Sequence, residues 1–418
     1  MQIMNYAEAL EKLQQYNQEH VLKFYEKLDS DKQEELLEQI DGLKLQEIEM
    51  LYNAIKNPTN NKQTDVEPIE YTDKEKLSEE EKARYIKIGN EALASGKIAA
   101  VTMAGGQGTR LGHDGPKGTF DLGLASHKSL FEIICDTFKE VQSKNNCTIP
   151  WYVMTSEENN DITEQFFEKN NYFGYPKEKV TFFKQGKYPM IDTKGKILLD
   201  ENGLIKEAAD GHGGVYIAMI KNGIMEDMKK KGIKWVIVGG VDNVLVKMFD
   251  PLFIGLYIEQ GFCSGSKSVV KKYPEEKVGV FCKKNGRPSI IEYSELPEEM
   301  AHEIDENGEL KFGESNIIVH IFELETMKEI SKNILPYHAA LKKANYMDEN
   351  GNVVIATEPN AYKFEAFIFD AFEQLENMTI FRVKREEEFA PVKNSDEKGV
   401  DCPKTARELY MKFHNIEK

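Results

Sequence analysis

An α/β fold, with a mixed, mainly parallel sheet flanked by helices and a small helical unit ahead of it, is what this 418-residue sequence predicts. Three observations carry that expectation. Short apolar runs at 98–104, 151–154, 180–183 and 235–238 alternate with helix-patterned stretches, the pattern of strands joined by crossover helices. Glycine-rich or polar loops follow several of these runs, where parallel sheets hold ligands beyond the carboxyl ends of their strands. Before residue 57 the apolar positions recur at helical spacing instead.

Composition sets the bounds. The chain exceeds one ordinary core, so two or three units are expected: a helical region with connector over 1–95, the sheet domain over 96–384, and a short carboxyl-terminal segment over 385–418. Lysine and arginine total 54 against 71 aspartate and glutamate, a net charge of −17, which argues against nucleic acid and anionic membrane as partners outside a local pocket. Cys135, Cys147, Cys263, Cys282 and Cys402 are odd in number, scattered, and form no Cys-x-x-Cys pair, as expected for reduced thiols of a cytoplasmic protein. The first residues lack a basic stretch leading into an apolar one, and no run of eighteen apolar residues occurs, so a soluble, unexported protein is expected.

Taken in order, Leu10, Leu13, Val21, Phe24, Leu28, Leu36, Ile40, Ile48, Leu51 and Ile55 mark the helical unit. Ser30 with Gln33 resembles a capping box, and Gly42 a stop. Residues 57–73 read as a polar connector before a charged helix that starts at Ser78 and ends near Gly96, with packing as its expected role.

The run at 98–104 breaks into Gly105-Gly106-Gln107-Gly108-Thr109-Arg110-Leu111-Gly112. Glycines at 105, 106 and 108 let main-chain N–H groups approach a ligand, and N–H groups aimed into one hollow bind anions. Arg110 adds a forked cation and Lys117, after Pro116, a mobile one, so a polyphosphate is the expected ligand. A Walker loop is excluded because no Gly-Lys-Ser/Thr follows at the required spacing. A dinucleotide fingerprint fails because Leu111 stands where its third glycine belongs, which disfavours an oxidoreductase.

Further motifs follow the later runs. Gln185-Gly186 offers an amide with both donor and acceptor, and by itself reads as a loop residue. Gly211-His212-Gly213-Gly214 opens a helix whose positive end a ligand could approach. Gly239-Gly240-Val241-Asp242-Asn243 ends a strand with a carboxylate suited to Mg²⁺, an ion that keeps waters and takes few protein carboxylates. A hairpin is expected about Asn285-Gly286. His320 reads as a core histidine. Residues 362–370 carry helical apolar spacing, and a final helix is expected from Thr405. No internal repeat or low-complexity tract stands out.

The ordered set Gly105 to Gly112, Pro116-Lys117-Gly118, Asp121-Leu122-Gly123-Leu124 and Lys128-Ser129-Leu130-Phe131 resembles the uridylyltransferase signature of eukaryotic-type UDP-N-acetylhexosamine pyrophosphorylases, and further matches extend over most of residues 95–412. The resemblance implies a Rossmann-like, GT-A-like nucleotidyltransferase fold and reversible transfer of UMP from UTP to a hexosamine 1-phosphate, releasing pyrophosphate. It also implies roles: Gly105, Gly106, Gln107, Gly108, Thr109, Gln185, Gly211 and His212 at the nucleotide, and Gly240, Asn243, Gly265, Glu292 and Asn316 at the sugar. Arg110 would hold the leaving pyrophosphate, Lys117 the α-phosphate, Lys393 of Glu-Phe-Ala-Pro-Val-Lys-Asn the sugar phosphate, and Asp242 the Mg²⁺. The family pattern Asn-Gly-Asn-Gly-Gly departs here to Asp210 and His212, and Gly-His-Gly is what UDP-glucose pyrophosphorylases show, so glucose 1-phosphate is the alternative substrate. A nucleotide-sugar binding protein without turnover is the alternative from another class. Eukaryotic members continue past the final helix into another small domain.

Overall fold

The computed structural model describes residues 4–57, 65–333 and 335–416. They form two compact units, each interrupted in sequence.

The larger unit, Thr64–Gln185 with Gly214–Ile334 and Ile368–Lys418, contains an eleven-stranded sheet. Its main path runs Thr72–Asp73, Thr379–Arg382, Ser264–Val270, Glu314–Glu323, Trp235–Gly240, Ile98–Met103, Trp151–Thr155 and Val180–Lys184. All neighbours on this path are parallel except those of Glu314–Glu323, which is antiparallel to both. Because that strand is reversed, its first residues lie at the same edge as the carboxyl ends of its neighbours. The expected mixed, mainly parallel sheet is therefore present. Every residue of Ile98–Met103 and Trp151–Thr155 is buried, which explains why these strands read as unbroken apolar runs.

Helices cover the sheet. Leu130–Asn145 begins on the Ser129 cap, and Glu79–Ala94 on a Ser78–Glu81 capping box. Glu79–Ala94 crosses Pro251–Gln260 at backbone contact: a Cβ on Gly89 would lie 1.9 Å from the Pro251 carbonyl oxygen, and one on Gly255 1.8 Å from that of Tyr85. These glycines are packing requirements. The Asn285-Gly286 hairpin forms as expected, with φ of 50° and 76° at the two turn residues.

Residues expected as connector join the sheet instead. Val66–Pro68 pairs with Val280–Lys284, and Thr72–Asp73 with Thr379–Arg382, while residues 58–64 lie outside the described ones. At 362–370 the expected helix is replaced by a strand, Ala361–Glu365, and a 3₁₀ turn, Ile368–Gln374. The burial of Ala361 and Phe364, three apart, mimics a helical period, but pairing with His338–Lys342 satisfies the backbone first.

The smaller unit gathers Met1–Gln63, Gly186–Gly213 and Leu335–Phe367. The amino-terminal helices Tyr6–Gln14, Ser30–Gly42 and Leu45–Lys56 form as expected, although Asp29 rather than Ser30 caps the second, accepting from Lys32 N–H. Their apolar faces do not close on each other alone. Leu13, Leu36 and Ile40 share one core with Tyr188, Ile191, Ile197, Leu199 and Phe364. The consecutive segments 1–95, 96–384 and 385–418 thus differ from the compact units, because two stretches from mid-chain complete the core that the helices begin. Asp-Glu-Asn-Gly, overlooked as a repeat, occurs at 200, 305 and 348, and each time the aspartate accepts two main-chain N–H groups while the glycine turns at φ near 80°.

Candidate functional site

The glycine loop closes on itself. Lys117 N–H donates to Gly106 O at 3.0 Å, and Gly108 N–H to Gly115 O at 2.8 Å, so Gln107 and Pro116 face each other as an isolated bridge. Among the described residues the N–H groups of Gly105, Gly106, Gln107, Thr109 and Arg110 donate to no protein acceptor, leaving a run of open donors. Two glycines have a steric reason. A Cβ on Gly105 would come within 2.7 to 2.8 Å of the Gln185 amide, and one on Gly108 within 2.8 Å of His113 Cβ. Gly105 and Gln185, widely separated in sequence, are thus in contact.

Two groups that sequence reasoning missed hold this loop. Asn159 is fully buried, donates from Nδ2 to Ala104 O at 3.0 Å and accepts from Ser156 N–H. Thr119 donates its hydroxyl to Pro116 O and lies 2.7 Å from His113 Nε2, which leaves Nε2–H as the donor to the hydroxyl oxygen. An Asn four residues beyond the strand Trp151–Thr155 was the available signal for the first.

Opposite the loop, the Trp235–Gly240 strand runs on into Asp242, two residues past its end. Lys117 Nζ lies 3.3 Å from Asp242 Oδ2, with the two side chains 17% and 25% exposed. Burial opposes the Asp242 charge, but the fields of Lys117 and Lys393 outweigh it and hold the carboxyl below the usual aspartate range. Lys117 and Asp242, far apart in the chain, therefore meet, and Val392 N–H, next to Lys393, donates to Asp242 O at 2.8 Å. Gly240 leaves the carboxylate room, since a Cβ there would stand 3.3 Å from Asp242 Oδ1. Among the described residues no three His, Cys, Asp or Glu side chains gather as a metal cage. Arg110, within the loop, is exposed.

Glu292 and Asn316 also come together, through Gly279. A Cβ on Gly279 would sit 2.7 Å from Glu292 Oε1, and the Gly279 carbonyl accepts from Asn316 N–H at 2.9 Å. Asn316 in turn accepts from Ile318 N–H at 2.8 Å, bending the strand so that Ile318 adopts φ +55°, a strained value for a β-branched residue. Its Cγ2 lies 4.0 Å from a Cβ built on Gly240, next to the metal candidate.

Two expectations, Asn243 and Gly265, are corrected by position. Asn243 is 3% exposed, and its amide is taken by Glu388 O at 2.7 Å and Ala390 N at 2.9 Å, so it faces protein backbone and no sugar. Gly265 lies in mid-sheet, in register with Ile321 and Thr379, and the space for a Cβ is filled by Thr379, Ile321 and Tyr257 at 3.1 to 3.2 Å. Its lack of a side chain serves the core. Gly211 belongs to the smaller unit, where a Cβ would meet Ala366 O at 2.4 Å, so the adjoining backbone requires a glycine there. His212 is in the same unit, its ring 5.4 Å from that of Phe367, which stacks on His338 at 4.7 Å. His320 is a buried core residue as expected, with Nδ1 2.7 Å from Ser266 Oγ. All five cysteines are free, and no helix among the described residues is long and apolar enough to cross a membrane.

Comparison with known proteins places the chain in a family. The model of the UTP–glucose-1-phosphate uridylyltransferase family matches residues 43–400. UDP-N-acetylglucosamine pyrophosphorylase of Saccharomyces cerevisiae is 38% identical over 411 residues, 93% of this chain and 86% of that protein. UDP-N-acetylhexosamine pyrophosphorylase-like protein 1 of Xenopus tropicalis is 41% identical over 340 residues, 79% of this chain and 66% of that protein. The crystal structure of the Trypanosoma brucei uridine diphosphate N-acetylglucosamine pyrophosphorylase in complex with inhibitor superposes with a TM-score of 0.83 at 31% identity, covering 96% of this chain and 84% of that one. With a model match across most of its length and the same fold as a solved relative, the chain belongs to the UTP–glucose-1-phosphate uridylyltransferase family.

Proposed function

We propose that the protein transfers UMP from UTP to N-acetylglucosamine 1-phosphate or its galacto epimer, reversibly, releasing pyrophosphate. The observation that carries the reading is the meeting of Lys117 and Asp242 at 3.3 Å beside five open main-chain donors. The names of the relatives support the choice of an N-acetylated sugar.

In this reading a sugar-phosphate oxygen attacks the α-phosphorus of UTP, and the α–β bridging bond breaks with its electron pair leaving on pyrophosphate. Such chemistry asks for alignment and for cations around the developing charge, with no protein nucleophile. The loop N–H groups and Arg110 bind the β- and γ-phosphates, Lys117 the α-phosphate, and Lys393 the incoming phosphate. Gln185 meets the base, while Glu292 and Asn316 face the sugar hydroxyls.

Members of the family generally use a divalent metal, and we take the ion to be Mg²⁺. One partly exposed carboxylate, with room beside Gly240, fits an ion whose other ligands are phosphate oxygens and water. Asp242 would hold it, and when bound it supplies charge neutralisation along the triphosphate. The free, scattered thiols support a cytoplasmic location.

Pyrophosphate release from UTP with N-acetylglucosamine 1-phosphate, N-acetylgalactosamine 1-phosphate and glucose 1-phosphate, compared by kcat/KM, tests the assignment. A preference for glucose 1-phosphate would overturn the sugar choice, and no release with any of the three would overturn the reaction.

A further inference from the structure

The Lys267 side chain is completely buried, yet all three of its N–H donors are matched: 2.6 Å to Glu388 Oε2, 2.9 Å to Asp250 Oδ2 and 3.1 Å to Lys247 O. Burying an ammonium and two carboxylates costs several kcal/mol of desolvation, and an apolar trio of the same volume would usually be as stable. Such a cluster is therefore poor as a source of stability and good at fixing one arrangement.

What it fixes is the approach to Lys393. Glu388 ends the short helix Arg385–Glu388, and Lys393 follows five residues on. Asn243, beside Asp242, clasps the intervening backbone: its Nδ2 donates to Glu388 O at 2.7 Å and its Oδ1 accepts from Ala390 N–H at 2.9 Å. Val244 N–H donates to Ala390 O at 3.2 Å, and Val392 N–H to Asp242 O at 2.8 Å. Lys393 N–H then donates to Asp401 O at 2.7 Å. The segment bearing the cation is thus tied to the turn bearing Asp242, with its upstream end anchored on Lys267.

We propose that Asn243, Lys267 and Glu388 are positioning residues for uridylyl transfer, acting by holding the backbone that carries Lys393 against the turn that carries Asp242. The proposal rests on the reading of Lys393 as the cation that receives the sugar phosphate. None of the three touches substrate.

The experiment compares Glu388→Ala, Glu388→Gln, Asn243→Ala, Lys393→Ala and the double variant Glu388→Ala/Lys393→Ala. Pyrophosphate release is measured with each substrate varied in turn, and melting temperatures confirm folding. Glu388→Ala is expected to lower kcat/KM for the sugar phosphate about tenfold or more while leaving the KM for UTP within about twofold. Glu388→Gln, which keeps an oxygen for Lys267, should recover most of that loss. Adding Glu388→Ala to Lys393→Ala should cost less than about twofold, because a residue acting through Lys393 has nothing left to place. Should Glu388→Ala not fold, Asn243→Ala with its Lys393→Ala double variant provides the same comparison.

Equal losses in both backgrounds, or folded single variants with wild-type kcat/KM, would overturn the proposal while a damaging Lys393→Ala keeps the reading beneath it. A Lys393→Ala enzyme with normal kinetics would overturn the reading itself, and the positioning role with it.

Discussion

The loop at 105–117 and the segment at 388–393 both pack at the Asp242 turn, one through the Lys117 side chain and the other through Val392 N–H beside Lys393, but they are put in place differently. The loop is tied by its own main chain, Gly106 to Lys117 and Gly108 to Gly115, with a glycine wherever a Cβ would collide. The segment is tied by partners 121 to 147 residues away, Lys267 and Asn243, across a buried ion pair and an amide clasp. Closing a short loop with its own hydrogen bonds needs little else to be folded, whereas the segment finds its place only after the sheet has formed.

Substitutions can break or sharpen this contrast. The largest effect is expected at Lys117→Ala, which should lower kcat about 10³-fold, the scale of removing one group aimed at developing charge. Steady-state pyrophosphate release checks it, and near-normal turnover would end the view that the loop supplies a catalytic cation. Next comes Gly105→Ala. Its new methyl must displace the Gln185 amide that lies within 2.8 Å, so the KM for UTP should rise about tenfold to a hundredfold with melting barely changed. An unchanged KM would mean that Gln185 does not meet the base.

A smaller effect is expected at Asn159→Ala, where the loop leans on a distant residue after all. Losing the buried amide leaves Ala104 O and Ser156 N–H without their partner, a cost of about 1–3 kcal/mol that a thermal melt would read. A melting temperature matching wild type would show the loop to be self-sufficient. The smallest effect concerns pH. Burial, only partly offset by Lys267, raises the Glu388 carboxyl above the usual glutamate range. A raised folded-state value gives stability that is complete below the unfolded glutamate range and is lost as pH rises through the folded value. Melting of the wild type should therefore decline over that window more than melting of Glu388→Gln. Parallel profiles would show that the segment carries no such charge dependence.

The same contrast describes what could be read from the chain. Lys117, Gln107 and the glycines stand in one contiguous stretch, so spacing alone suggested a phosphate loop. Asp242 was legible because its strand and its glycines are adjacent in sequence. Lys393 came only from a family resemblance, because a lysine in a loop has no local mark until Asn243 and Lys267 are known to hold the loop down. Asn243 and Gly265 matched a motif yet were turned to the protein's own backbone and core, since a residue's type does not disclose which way its strand faces. Residues 362–370 failed for a related reason: two buried residues three apart fit a helix as well as a strand, and His338–Lys342 decided between them.

The sequence by itself determined the alternation of strands and helices between 98 and 238, the glycine loop and the net charge, because these depend on neighbours a few residues apart. Only the tertiary structure decided that Lys117 and Asp242 meet, that Asn243 is a clasp, and that the amino-terminal helices share a core with mid-chain segments. Those outcomes depend on sheet register and on buried contacts between residues more than a hundred positions apart, where no local preference operates.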